Sequence, residues 1–335
     1  MNKNILVEVK NLKTYFDTDD GLVKAVDNVC FNVKRDETVG FVGESGCGKS
    51  MTALSIMSLL PQPRGKIFGG TINYNADGNV IDITSLDPRA KEIRSIRGND
   101  IAMIFQEPMT SLNPVYTVGE QIMESIRLHQ KVSKKDAREK AIEMLKHVRI
   151  SAPEKRIDEY PHELSGGMRQ RIMIAIALSC EPKLLIADEP TTALDVTIEA
   201  QILNLMRELQ DKFKMSIMII THDLGVIGEM TDRVIVMYTG KIVEEASTDD
   251  IFYNPKHPYT QGLLRSIPIL GQKKRLIPIE GSVPNLLCLP AGCYFAPRCP
   301  CAKDICRVKE PPNFMITEEH YCKCWLYDDV EEVTH

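Results

Sequence analysis

The sequence has no unbroken apolar run approaching the ~18 residues a membrane-spanning helix needs, so no transmembrane segment is expected. Its first ten residues place Glu8 and Lys10 where a signal peptide requires an apolar core, and the chain is therefore expected to stay in the cytoplasm. A strongly basic balance is also missing. Lys and Arg number 41 against 46 Asp and Glu, which argues against a nucleic-acid binder with its basic face. No segment repeats at a period of about 20 to 50 residues, as a solenoid or propeller would require. Nor is there a heptad run of the coiled-coil kind.

What is present is an ordinary globular composition over 335 residues, a length that accommodates two domains of about 150 residues each. Cysteine is the exception. Of ten, Cys30, Cys47 and Cys180 are scattered, and the other seven fall between Cys288 and Cys324. In a reducing compartment such a cluster points to metal or redox chemistry rather than a disulfide framework.

The segment Gly43 to Ser50, Gly-Glu-Ser-Gly-Cys-Gly-Lys-Ser, fits G-x-x-x-x-G-K-[ST] residue for residue. Glycines at that spacing let the backbone fold into a nest of inward-pointing N–H groups for phosphate oxygens. Lys49 would reach the β- and γ-phosphates and the Ser50 hydroxyl would ligate Mg²⁺. Thr38 to Val42 reads as a buried strand entering this loop, and Ser50 to Leu60 as a helix leaving it, stopped by Pro61. The helix N-terminus adds a field that favours anions.

Upstream, Ile5 to Val9 alternates like a strand, and Leu22 to Val33 reads as further strands around a turn. Tyr15-Phe16 lies between them, suited either to stacking on adenine or to a strand core. Thr71 to Thr84 reads as a hairpin turned at Asp77-Gly78. Asp87 to Arg97 reads as helical, and Ile101 to Phe105 as a short strand delivering Gln106. Thr117 to His147 holds two helical patterns, read as a subdomain inserted into an α/β core. Ser165-Gly166-Gly167 opens a helix through Ser179, a ready anion site. Leu184 to Glu189 is an apolar strand ending in two carboxylates, Asp188 and Glu189. Beside a phosphate loop, Asp188 would hold Mg²⁺ and Glu189 would accept a proton from attacking water. His222 follows the next strand, Ser216 to Ile220, at the end where ligands bind in open α/β sheets.

The phosphate loop, Gln106 after a strand, Ser165-Gly-Gly opening a helix, Asp188-Glu189 after an apolar strand and His222 after the next, in this order, resemble the ATPase subunit of an ABC transporter, over Ile5 to about Ile267. The resemblance implies an α/β fold, an ABC-type P-loop ATPase core with an antiparallel β subdomain and an inserted helical subdomain at about 107–180. It makes Gly43 to Ser50 the Walker A loop, with Gly43, Ser45, Gly46, Cys47, Gly48, Lys49, Ser50 and the following Met51 on ATP, and Phe16 the adenine-stacking aromatic, with Tyr15 its open alternative. Gln106 becomes the Q-loop, which with Ser50 and Asp188 handles Mg²⁺. Leu164 to Gln170 becomes the signature, in which Ser165, Gly166 and Gly167 contact nucleotide held by a second ATPase subunit. Glu189 would be the catalytic glutamate, Ala193 to Asp195 the D-loop and His222 the switch histidine. Asp36 departs from the family's usual glycine, with no functional effect expected.

Gln106 to Pro114, Asn254 to Leu264 and Gly292 to Cys299 are similar to dipeptide and oligopeptide importer subunits. This narrower resemblance implies two membrane permeases touching Gln106 to Ile126, a peptide-binding protein, and a peripheral place on the cytoplasmic face of the membrane. Nickel and glutathione importers are close alternatives for the cargo. A soluble ABC-type ATPase acting on nucleic acid or ribosomes is a third reading, disfavoured by the single cassette, and no direct nucleic-acid contact is expected.

The ATPase domain is assigned to 1–265 and a loop-rich, Cys-rich extension to 266–335. There Cys293-x5-Cys299-x6-Cys306-x17-Cys324 supplies four thiolates, enough for a 4Fe–4S cluster or Zn²⁺, and the spacing leaves both open. The resemblance favours the 4Fe–4S cluster on these four residues. Cys288, Cys301 and Cys322 leave another ligand set open. Pro278, Gly281, Pro284 and Pro290 suggest loops that a metal would staple.

Overall fold

The computed structural model describes residues 2–106, 112–192, 194–266 and 278–333. Ala193, residues 107–111 of the Gln106 to Pro114 segment and the boundary residue Ile267 lie outside the described residues. The chain forms two compact units, one of 1–33, 38–85 and 221–335, the other of 34–37 and 86–220.

In the first unit, β1 (Ile5–Thr18) and β2 (Gly21–Lys34) precede β3 (Thr38–Val42), and β4 (Gly65–Ala76) and β5 (Asn79–Asp82) follow it. An antiparallel sheet runs in the order β2-β1-β4-β5. The expected hairpin is present. Asp77 and Gly78 both have positive φ, and the Gly78 amide donates to Asn75 Oδ1 at 2.7 Å, which closes the β4–β5 turn. The region expected as two strands around a turn is instead the single strand β2.

The second unit contributes β6 (Ile101–Ile104), β7 (Leu184–Asp188) and β8 (Ser216–Ile220), parallel in the order β8-β7-β6. Every residue of β7 and β8 is buried, as expected of parallel strands covered on both faces. Its helices begin where sequence places caps. Thr117 and Glu120 form a capping box at Val118–Gln130, Ser133 caps Lys134–His147, and Ser165 caps Gly166–Leu178. Asp36 sits in the left-handed region at φ 59, a conformation that glycine adopts without strain.

Back in the first unit, β9 (Arg233–Tyr238) pairs parallel with β3 and antiparallel with β10 (Lys241–Ser247). The C-terminal extension adds β11 (Asn313–Thr317), β12 (His320–Cys322) and β13 (Glu332–Val333). β12 pairs with β10, so the extension continues the same sheet in the order β3-β9-β10-β12-β11-β13. Residues 278–291 carry neither helix nor strand, in line with their proline and glycine content.

Two helices are shorter than the sequence suggests. The one after the phosphate loop is Lys49–Ile56 and stops before Leu60, because Ser58 turns into the left-handed region at φ 50. The other is Lys91–Ile96 rather than Asp87 to Arg97.

Candidate active site

β3 is apolar and wholly buried, and it delivers the chain to Gly43. At Gly43 φ is 149°, and a Cβ would stand 2.2 Å from the Met237 carbonyl oxygen on β9. At Gly48 φ is 105°, and a Cβ would stand 2.3 Å from the Ala25 carbonyl oxygen. Both positions exclude a side chain by dihedral and by space, so the loop can press against β2 and β9 only as glycine. Between them Ser45 and Gly46 are exposed, while Ser50 and Met51 are half-buried at the helix start. Lys49 is buried and bends back over the loop. Its Nζ donates to the carbonyls of Gly43 at 2.7 Å and Glu44 at 3.1 Å. Burial pushes the Cys47 thiol up, against the pull of Lys49.

Phe16 is half-buried opposite Gly65 in the β1–β4 pairing. Tyr15 is more deeply set, and its hydroxyl donates to Asp27 Oδ1 at 2.7 Å. His222 is exposed just after Thr221, whose amide donates to the Phe41 carbonyl of β3.

In the second unit, β7 carries Asp188 into the interior and then turns sharply. Glu189 adopts φ 47, a left-handed conformation uncommon outside glycine, and its amide donates to the Ile220 carbonyl. Its carboxylate oxygen Oε2 accepts from Gln106 Nε2 at 2.9 Å and from Thr192 Oγ1 at 2.8 Å. Sequence alone linked Gln106 and Glu189 only by resemblance; here they meet, and Thr192 joins them. Ser165 and Gly166 are exposed at the start of their helix, and Gly167 is half-buried. Asp195 caps the helix Val196–Phe213 through the Ile198 amide.

In the second unit, Gln106 and Asp188 offer amide and carboxylate oxygens, and in the first Ser50 offers a hydroxyl; oxygen donors of these kinds suit a hard cation such as Mg²⁺.

Cys293, Cys299, Cys306 and Cys324 line one small cavity with Cys301. Burial pushes Cys299 up to about 11 and Cys324 up to about 12, and the mutual proximity of the thiols adds to both shifts. A metal would offset that cost by holding thiolates. Among the described residues no group of three His, Cys, Asp or Glu is arranged to hold a metal ion as it stands. The convergence of the four cysteines is therefore present, and a coordination geometry is not.

The segment between Cys293 and Cys299 reaches inward. Tyr294 donates to Asp27 Oδ2 at 3.0 Å, and Phe295 packs against Tyr238, Tyr259 and His257. Arg298 forms a bidentate pair with Glu44 of the phosphate loop at 2.6 and 3.0 Å. Sequence reasoning marked this segment and the Tyr259 stretch by resemblance only. The signal available was an arginine between two cysteines, with nothing to say what it pairs with.

The family described as ABC transporter matches residues 26–192. The family described as oligopeptide/dipeptide transporter, C-terminal region, matches residues 243–306. A dimeric, post-hydrolysis ATP-binding cassette, MJ0796, bound to ADP and Pi has a similar structure. Its TM-score is 0.63 at 28% identity, covering 72% of this chain and 99% of that one. The fold is thus that of an ABC cassette. At the sequence level, the oligopeptide transport ATP-binding protein AppD of Bacillus subtilis is 54% identical over 97% of both chains. The dipeptide transport ATP-binding protein DppD of the same organism is 50% identical over 98% of this chain and 96% of its own. This chain belongs to the family of ATP-binding subunits of oligopeptide and dipeptide ABC transporters, and it is an ATPase of that class.

Asp27 receives three donors, from Tyr15, Tyr294 and, at 3.1 Å, Lys241. Burial alone would raise its pKa, but the Tyr15 hydrogen bond and the Lys241 charge outweigh burial and hold the carboxyl below its usual range. A folded-state value below the unfolded one stabilises above the unfolded value, about 4, and the contribution is lost as pH falls through the folded value. Asp27→Asn should therefore melt several degrees below wild type at neutral pH. The gap should close as pH drops below about 4, measured by thermal scans across pH.

Proposed function

We propose that this chain works as one of two ATPase subunits on the cytoplasmic face of a membrane, powering uptake of dipeptides or oligopeptides. Two permease subunits would form the passage and a peptide-binding protein would deliver cargo. The observation that carries the cargo class is the match of residues 243–306 to the peptide-transporter C-terminal region. Among the described residues no helix is long and apolar enough to cross a membrane, which fits a passage built by separate permease chains.

We assign residues 1–265 to the ATPase domain and 266–335 to the extension. Lys49 and the loop amides neutralise phosphate charge, and nucleotide must draw Lys49 away from the carbonyls of Gly43 and Glu44. Ser50, Gln106 and Asp188 would hold Mg²⁺, which supplies charge compensation to the β- and γ-oxygens. Glu189, oriented by Gln106 and Thr192, positions water and takes its proton. His222 steadies the γ-phosphate, Phe16 stacks on adenine, and Ser165 to Gly167 act on nucleotide held by the partner subunit. For the extension, the shared cavity supports a cluster on Cys293, Cys299, Cys306 and Cys324, which we read as 4Fe–4S with a structural or docking role, not a catalytic one.

Glu189→Gln should bind ATP with wild-type affinity and hydrolyse it at least about 100-fold more slowly. Lys49→Ala should instead lose affinity. Near-normal turnover in the glutamine variant would reject the role given to Glu189. Protein purified without oxygen should be brown, with iron and acid-labile sulfide in equal amounts, whereas colourless protein with stoichiometric zinc would replace the cluster by Zn²⁺. Mass spectrometry of material co-purified from mild-detergent membranes should find two permeases, a second ATPase and a peptide-binding protein. A nickel- or glutathione-binding protein would reassign the cargo, and ribosomes or nucleic acid would reassign the class.

A further inference from the structure

Glu44 is an awkward residue for a loop that receives a triphosphate. It stands directly after Gly43 and brings a carboxylate to a site meant for anions. That charge is not left open to the loop. The Arg298 guanidinium grips it through two parallel bonds, Nη1 to Oε2 at 2.6 Å and Nη2 to Oε1 at 3.0 Å. The Arg298 side chain is 4% exposed and that of Glu44 29%.

The guanidinium is held independently of Glu44. Its Nε donates to the Glu280 carbonyl at 3.0 Å, Nη2 to the Ile279 carbonyl at 3.4 Å and Nη1 to the Tyr238 hydroxyl at 3.3 Å. It also lies over the rings of Tyr238 and Phe295. The arginine is therefore a fixed post to which the Glu44 carboxylate is tied. The backbone of Glu44 is tied as well. Its amide donates to the Tyr259 hydroxyl at 2.8 Å, and its carbonyl accepts from Lys49.

We infer that Arg298 is a positioning residue for the phosphate loop, holding the Glu44 carboxylate so that its charge is cancelled and kept from the nucleotide. The extension thus takes part in nucleotide binding without touching nucleotide. This inference rests on Gly43 to Ser50 being the ATP loop. Arg298 supplies no atom to the reaction, so its removal should raise the ATP concentration needed for binding rather than slow the bound complex.

The test is equilibrium titration of the full-length chain with ATP and Mg²⁺. Wild type and Lys49→Ala come first. If wild type does not bind, or Lys49→Ala binds equally well, the reading of the loop fails, whatever Arg298 does. With that established, Arg298→Ala should weaken ATP binding about tenfold, the scale of losing a charged hydrogen-bonded partner. Arg298→Lys keeps the charge without the fork and should fall between. The decisive variant is Glu44→Ala combined with Arg298→Ala, which removes the stranded carboxylate and should bind nearly as wild type. A purely structural role for Arg298 would lower melting temperature in both alanine variants and restore no affinity in the double one. Unchanged affinity in Arg298→Ala, or no recovery in the double variant, overturns the proposal. Should Arg298→Ala fail to fold, Arg298→Lys and the double variant decide it on the same criteria.

Discussion

The first unit is built around a loop with no room beneath it. Carbonyl oxygens of Met237 and Ala25 stand where the Cβ atoms of residues 43 and 48 would be, so the phosphate loop lies against the ends of β9 and β2. That close seat requires glycine at both ends, a rigid strand behind and a helix ahead. β3 supplies the strand by being buried along its whole length, and Lys49–Ile56 supplies the helix. A backbone so confined has its amides set in advance, and binding need not spend free energy on ordering them.

The polar interior follows a second rule, that a buried carboxylate must be saturated with donors. Glu244 accepts from the amides of Lys256 and His257 at 2.6 and 2.9 Å and meets His320 Nε2 at 2.8 Å. Asp27 gathers two tyrosine hydroxyls and Lys241, and Lys241 also pairs with Glu310. Burial pushes His257 down to about 4, leaving a neutral ring whose Nδ1 accepts from the Tyr259 amide. Each set ties a stretch of the extension, or the segment leading into it, to the ATPase body. The extension is attached by specific polar contacts around the aromatic packing of Phe295.

How much of this was legible in the sequence depended on whether a local rule fixed the residue type. The loop glycines, Lys49, the Asp188-Glu189 pair and the Asp77-Gly78 turn could be read directly, because each needs a particular residue at a particular spacing. Helix starts at Thr117 and Ser165 were readable as well, whereas the break between the two helices of Thr117 to His147, at the Ser133 cap, was not placed. Nor was the end of the helix after the loop. Apolar periodicity ran on to Leu60, but the chain leaves helix at Ser58, and periodicity says nothing about such a break. Least visible were partners far apart in the chain. Glu44 and Arg298 are separated by 254 positions, and Asp27 and Tyr294 by 267. Spacing could nominate four cysteines, and the fold brings them to one cavity, but no rule of spacing could say that the residues between two of them face the phosphate loop.

The pairing of β12 with β10 has a consequence for solubility. Without it β10 would be the outer strand of the sheet, offering a row of unpaired amides and carbonyls to any passing chain. The added strands move the margin outward to β13, which is two residues long and carries Glu332. A short, charged margin is a poor template for another strand. The extension therefore also acts as a hem, finishing a sheet that would otherwise invite self-association.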